Sequence, residues 1–388
     1  MQLIVSFLIF FHSRKNDILF SMQKEALTSW LEIDLGAIRD NVREMMRITG
    51  RPLMAVVKGN AYGHGIEAVG KAVEAAGAAW CSVARIEEAF VLRENGVTCP
   101  ILVMGYTPPQ VVREAIARNI SLTVDAPDVA AQYAEAADTP LKCHLKVDTG
   151  MSRLGIHVDQ AMNFLHWLHA QKTLAVEGMF THFARADEPQ AATTAEQLAK
   201  FQRLVQDIEA AGLRPEWVHA ANSAAGLYFP ETRFDLVRSG IAIYGLQPSD
   251  NAPLPETFRP ALTMKTRITS VRILPPGQGI SYGHRYTTAN VQRVGSIAVG
   301  YADGFRRWAG NRVLLQGKSV PVVGTICMDQ CVINLDDVPE ARRGDEVVLI
   351  GQQGSARISA EMMAKTWGTI NYEVVSGLAS RLTRLYNG

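Results

Sequence analysis

The sequence predicts an α/β protein, an N-terminal (β/α)8 TIM-like barrel followed by a mainly β C-terminal domain. Three observations carry this. Eight short apolar runs alternate with amphipathic stretches between Pro52 and Gly245. Beyond about Ala261 the texture changes to short alternating segments cut by turn residues. The chain has 388 residues, more than one core usually organises, although an α/β barrel absorbs about 250 alone.

The eight runs are Leu53–Val57, Ala79–Val83, Ile101–Met104, Ile120–Val124, Leu141–Val147, Val176–Phe180, Trp217–Ala221 and Phe234–Val237. Near-continuous apolar strands suit a parallel sheet covered on both faces. Between them lie helical patterns at Ile66–Ala76, Ile86–Asn95, Val111–Arg118 and Ala195–Ala211, several closed by Gly or Asn. A doubly wound sheet is the competing topology. It prefers a G-x-G-x-x-G loop after its first strand, and Gly59-Asn-Ala-Tyr-Gly-His-Gly65 lacks that spacing.

The second part reads as strands at Met264–Ile273, Arg293–Val299, Val320–Thr325, Cys331–Leu335 and Glu346–Ile350, separated by Pro275-Pro-Gly277, Gly310-Asn311 and Gly344-Asp345. Pro248 to Pro260, with its prolines, reads as the connector. A closing helix at about Ser359–Thr366 precedes an Asn371-Tyr372 loop. The expected domains are therefore 28–250 for the barrel, with 28–35 pairing onto the C-terminal domain, and 251–388 for the β part. Residues 1–27 read as an extension, disordered or adventitious, with a restart at Met22. The apolar Leu3–Phe11 is shorter than the roughly 20 residues a membrane span needs and lacks a cleavage site, so a weak anchor is the lesser alternative.

Composition excludes several functions. Net charge is +1 without a basic block, so neither nucleic acid nor an anionic membrane is expected as a partner. The five cysteines are scattered, which is no disulfide framework and points to a reducing, cytoplasmic setting. Cys327-x-x-x-Cys331 lacks zinc spacing, so no metal is expected.

In a barrel the active site lies at the C-terminal ends of the strands. Those ends carry Lys58, Lys146 with Asp148, His182, Asn222-Ser223 and Arg238-Ser-Gly240. A lysine closing an apolar strand is costly to bury as an ammonium. It either snorkels to the barrel mouth, serves a cofactor-free Schiff-base aldolase, or forms an imine with an aldehyde cofactor. The loops after runs seven and eight, Asn222-Ser-Ala-Ala-Gly226 and Ser239-Gly-Ile-Ala242, are small enough for a phosphate to reach backbone N–H groups.

Val57-Lys-Gly-Asn-Ala-Tyr-Gly-His-Gly65 resembles the cofactor-lysine signature of alanine racemases, barrel-type (fold type III) pyridoxal-phosphate enzymes. Similar matches follow in collinear order: Lys146-Val-Asp-Thr-Gly-Met-Ser-Arg-Leu-Gly155, Thr181-His-Phe-Ala184, His219-Ala-Ala-Asn-Ser-Ala-Ala225, Val237-Arg-Ser-Gly-Ile-Ala-Ile-Tyr-Gly245, Ile280-Ser-Tyr-Gly283, Gly300-Tyr-Ala-Asp-Gly304, Cys327-Met-Asp-Gln330 and Asn371-Tyr-Glu373. The resemblance implies pyridoxal 5'-phosphate on Lys58, which is also the base on the D-side. It implies Tyr282, from the partner subunit of a homodimer with shared active sites, as the base on the L-side. It further implies that Tyr62, Ser223, Tyr372 and the N–H groups of Gly240 and Ile241 hold the phosphate, with Asn222 beside them. His182 would pack on the ring and Arg238 would face the pyridine nitrogen. Arg153 and the Met328 N–H would take the substrate carboxylate, Tyr301 and Tyr372 would gate the pocket, and Lys146 is the candidate carbamylated lysine.

Arginine donates and does not deprotonate, so it disfavours a protonated pyridine beside it. That suits an enzyme that only returns a proton. Gly59 departs from the alanine of many relatives. The implied activity is racemisation of L-alanine to D-alanine, for peptidoglycan or alanine catabolism. A serine-preferring or broad-specificity racemase is the alternative. A barrel-type decarboxylase would want an acidic partner where Arg238 stands, and a non-catalytic cofactor carrier would need no Tyr282.

Overall fold

A computed structural model describes residues 24–388; the expected restart at Met22 and the apolar stretch before it lie outside the described residues. The chain divides into two compact units. One comprises Asp34–Ala261 with Asn387–Gly388, the other Leu262–Tyr386 with the residues up to Ile33.

The first unit is a barrel-like parallel sheet of β1 (Leu53–Val56), β2 (Trp80–Val83), β3 (Ile101–Val103), β4 (Ile120–Val124), β5 (Leu141–Asp148), β6 (Leu174–Phe180), β7 (Trp217–His219) and β8 (Val237–Ser239). Neighbours pair in the order β8-β1-β2-β3-β4-β5-β6-β7. The Arg238 N–H donates to the Ala221 carbonyl and the Asp235 N–H to Val218, each at 3.0 Å, which joins the last two segments. Met54, Trp80, Leu102, Phe180 and Leu236 form one buried cluster. Side chains from strands so far apart around a ring meet only across its interior.

The helix Leu35–Thr49 precedes β1. Asp34 caps its start by accepting the Ala37 N–H at 2.8 Å, and Gly50 ends it in the left-handed region that glycine tolerates. The expected run Phe234–Val237 yields a strand only from Val237, because Phe234 takes a positive φ of 33°. Its ring packs edge-on against Phe201 of the helix Thr193–Ala210, 5.4 Å between centroids. An apolar run supplied by one strand is thus shared with a turn.

In the second unit six antiparallel strands close on themselves. Leu262–Leu274 pairs on one side with Gln292–Ile297 and on the other with Glu346–Gln353. Cys331–Asn334, Lys318–Val323 and Arg312–Leu315 complete the circuit. Ser29–Ile33 adds to Leu262–Thr266. Residues 24–27 form a short turn held by Arg267, which donates to the Leu27 carbonyl at 3.1 Å. The expected Asn371-Tyr372 loop is instead the start of a helix, Asn371–Ser376, which follows a break at Gly368. Among the described residues no helix is long and apolar enough to cross a membrane.

Candidate active site

Because the barrel strands are all parallel, their C-terminal ends face one way, and Lys58, Lys146, His182, Ser223 and Arg238 follow or close those ends. Strand β1 does not end in an ordinary turn. Gly59, Asn60, Ala61 and Tyr62 have φ of 63, 53, 53 and 52°, a left-handed turn directly after Lys58. Such backbone costs a non-glycine residue about 1–2 kcal/mol, so it persists only where it is held. Glu88 holds it: its Oε1 accepts the Gly59 N–H at 2.6 Å and the Asn60 N–H at 3.3 Å. Its Oε2 accepts the Ala84 N–H at 3.0 Å, at the start of the helix Ile86–Glu94.

This turn sets the Tyr62 phenol against Gly240. A Cβ on Gly240 would lie 2.4 Å from the Tyr62 hydroxyl, so only glycine admits it. Ser223 Oγ accepts the Gly240 N–H at 3.0 Å and lies 3.2 Å from Ser239 Oγ. Asn222 is committed to the helix Ser223–Tyr228, whose Ala225 N–H it accepts at 2.9 Å. Ile241 opens a short 3-10 turn beside them. The Tyr62, Ser223 and Ser239 hydroxyls and the backbone N–H groups from Gly240 onward thus come together, donors of the kind that bind a phosphate.

Basic groups crowd the same end. Burial first, then the Arg153 charge, holds the Lys58 ammonium below its ordinary pKa, with Glu88 opposing and Arg238 adding to the effect. Burial, then Arg238, brings Lys146 down to about 8, and its Nζ donates to the Val147 carbonyl at 2.7 Å. Arg238, 3% exposed, is anchored by its Nη2 to the Thr181 and Ala220 carbonyls, both at 2.8 Å. The same Nη2 is 3.2 Å from His182 Nδ1. Burial, then the Arg238 and Arg153 charges, keeps His182 well below the ordinary imidazole value, hence neutral. Arg153 is exposed, on a loop shaped by Asp148, which accepts the Gly150 and Met151 N–H groups at 2.9 Å.

Three residues expected from the second unit are gathered there on neighbouring loops. Ser281 Oγ donates to the Thr325 carbonyl at 2.5 Å and sits 3.2 Å from Cys327 Sγ. The Tyr301 N–H donates to the Cys327 carbonyl at 3.1 Å, and the Ala302 N–H to Met328 at 3.0 Å. Ser281 has a φ of 63°, a strained non-glycine position immediately before Tyr282. Tyr282, Tyr301 and Met328 are 71%, 45% and 53% exposed. Tyr372 is half-buried in the first turn of the helix Asn371–Ser376.

Comparison with known proteins identifies the family. The alanine racemase N-terminal domain matches residues 33–248 and the alanine racemase C-terminal domain residues 261–386. The chain belongs to the alanine racemase family. It is an isomerase, and its reaction is alanine racemisation. Alanine racemase of Symbiobacterium thermophilum is 42% identical over 366 residues, spanning 93% of this chain and 97% of that one. That of Desulfovibrio desulfuricans is 41% identical over 364 residues, spanning 92% and 97%. Among solved structures, the alanine racemase of Bacillus anthracis with bound L-Ala-P superposes with a TM-score of 0.89 at 39% identity, covering 93% of this chain and 95% of that one.

Three polar residues behind this end of the barrel carry no signal in the sequence. Glu88 has no neighbouring Ser or Thr to mark it as part of a cap, and its second role, holding the turn after Lys58, joins segments 29 residues apart. His144 and Glu177 sit inside apolar runs where a polar residue carries no motif. Among the described residues no group of three or more His, Cys, Asp or Glu side chains could hold a metal ion.

Proposed function

We propose that this isomerase works with pyridoxal 5'-phosphate and two bases, Lys58 and the Tyr282 of a partner subunit. The observation that carries the reading is the convergence, at one end of the barrel, of an amine held below its ordinary pKa with a cluster of hydroxyls and backbone N–H groups around Gly240. Bound there, the cofactor supplies the electron sink that makes the substrate's α-proton acidic. Lys58 would bond to its aldehyde carbon. Tyr62, Ser223, Tyr372 and the Gly240 and Ile241 N–H groups would hold its phosphate, with Asn222 shaping the cradle through its cap. His182, neutral, would pack on the ring, and Arg238 would donate to the pyridine nitrogen.

The remaining steps belong to side chains. Arg153 and the Met328 N–H would bind the alanine carboxylate, and Tyr301 and Tyr372 would limit the side chain to about a methyl. Lys58 Nζ takes or returns the α-proton on one face, and the Tyr282 hydroxyl does so on the other. A homodimer with shared sites is supported by the exposure of Tyr282, Tyr301 and Met328 together on tied loops. The product D-alanine would supply peptidoglycan, or the reverse reaction alanine catabolism. The free cysteines fit a reducing cytoplasm.

Borohydride reduction of the protein loaded with pyridoxal phosphate, followed by peptide mapping, tests the core of this reading. The adduct is expected on Lys58, and an adduct on another lysine would sink it. Lys146 gives a further expectation. Only a neutral amine adds carbon dioxide, so a carboxyl on Lys146 should accumulate as pH rises through about 8. Native mass spectrometry in bicarbonate would detect it, and an unmodified Lys146 across that range would rule the carbamate out.

A further inference from the structure

The barrel interior carries one continuous line of polar groups. Ser121 Oγ donates to Glu177 Oε1. His144 Nε2 is 3.4 Å from the same oxygen. His144 Nδ1 is 3.0 Å from His219 Nε2, and His219 Nδ1 is 2.9 Å from Arg238 Nη1. Both imidazoles are fully buried. The space for His144 is built in: opposite it stands Gly178, where a Cβ would lie 2.2 Å from the His144 Nδ1. Phe180 stacks on the His219 ring at 4.9 Å, so that ring is held as well.

Counting donors places every proton. Arginine only donates, so His219 Nδ1 accepts and the His219 proton sits on Nε2. That N–H meets His144 Nδ1, which must accept, so the His144 proton sits on its own Nε2. There it faces a carboxylate, which only accepts. Burial lowers both imidazole pKa values, that of His219 further through Arg238, so both rings are neutral. Burial opposes the Glu177 charge, but the neighbouring His144, 3.4 Å away and outside hydrogen-bond geometry, and the Ser121 hydroxyl outweigh it and hold the carboxyl below its ordinary pKa.

We infer that Glu177 and His144 are positioning residues for Arg238, the carboxylate permitting only one direction of protons along the line so that His219 always turns a lone pair to the guanidinium. This rests on the reading of Arg238 as the group that faces the pyridine nitrogen. Its guanidinium is then fixed in place from behind, through His219 and His144, by a carboxylate on β6, next but one to the strand of Arg238.

Glu177→Gln tests the direction without altering the shape. An amide both donates and accepts, so His144 can accept from it, donate to His219, and leave a His219 N–H against an Arg238 N–H. The experiment uses full-length protein with 15N-labelled histidine, with and without added pyridoxal phosphate. In the parent, Nδ1 of both rings is expected to be unprotonated and neither ring to titrate across the physiological range. In the variant only Arg238 still sets the direction, from its own end, so both rings should show mixed tautomers where the guanidinium turns its N–H away from His219. With cofactor, kcat in both directions should fall about tenfold, the low end for an outer partner of a reactive group. KM for alanine should hold, and amino-group transfer to the cofactor per turnover should rise.

A merely structural role would lower the melting temperature and leave tautomers and that partition unchanged. A protonated Nδ1 on either parent ring, or parent tautomers in Glu177→Gln, overturns the inference. Failure of pyridoxal phosphate to bind, with the tautomers as expected, overturns the cofactor reading instead and is seen in the same samples.

Discussion

Lys58→Arg should reduce racemisation by more than about 10⁴-fold, the scale of losing a positioned acid–base group together with a covalent attachment. Arginine keeps the charge and most of the length. It neither condenses with an aldehyde nor accepts a proton, because a guanidinium stays charged in proteins. Lysine at this position is different in kind. Burial and the Arg153 charge disfavour its ammonium, so more of it is the neutral amine that both tasks need. The sign is that of a depressed base: the amine is neutral at lower pH than a free lysine, and uptake of the aldehyde should persist correspondingly further toward neutral pH. Absorbance of the cofactor-bound protein and a coupled racemisation assay would read both effects. Activity of Lys58→Arg within about tenfold of the parent would remove lysine from the reaction.

Tyr282→Phe should cost about 10²–10⁴-fold in turnover while leaving cofactor binding intact. The more telling readout is its asymmetry. With one base left on one face, D-alanine in deuterated water should still exchange its α-proton at Lys58 without inverting. L-alanine, whose proton faced the missing hydroxyl, should neither exchange nor invert. Equal exchange of both enantiomers would mean that Tyr282 is not the second base. Its loop is already strained at Ser281 and tied through Ser281 Oγ to Thr325 and Cys327, so the ring's position depends on backbone that Phe leaves untouched. Mixing Tyr282→Phe with Lys58→Arg protein is the matching check on a shared site. Hybrid dimers that exchange subunits would recover one intact pair of bases.

Much of this was legible in the chain. Apolar runs bounded by turns marked β1 to β7 to within a few residues, because a strand buried on both faces must be apolar throughout. Lys58, Lys146, His182, Ser223 and Arg238 fall together at one end because parallel strands deliver their C-termini to one side. Phe234 extends an apolar run without belonging to the strand: apolar residues recur wherever side chains are covered, and Phe234 is half-buried against a helix. The helix Asn371–Ser376, which carries Tyr372, has too few turns to show a period in the sequence.

The sequence by itself determined the architecture and the chemical types at the barrel mouth, since both follow from patterns of neighbouring residues. Only the tertiary structure decided how those groups are held. The left-handed turn after Lys58 depends on Glu88, and the Gly240 cradle on Tyr62. The direction of protons behind Arg238 depends on Glu177, 61 residues away in sequence. Each is a contact between segments distant along the chain, and a local pattern carries no trace of which distant carboxylate or hydroxyl will meet it.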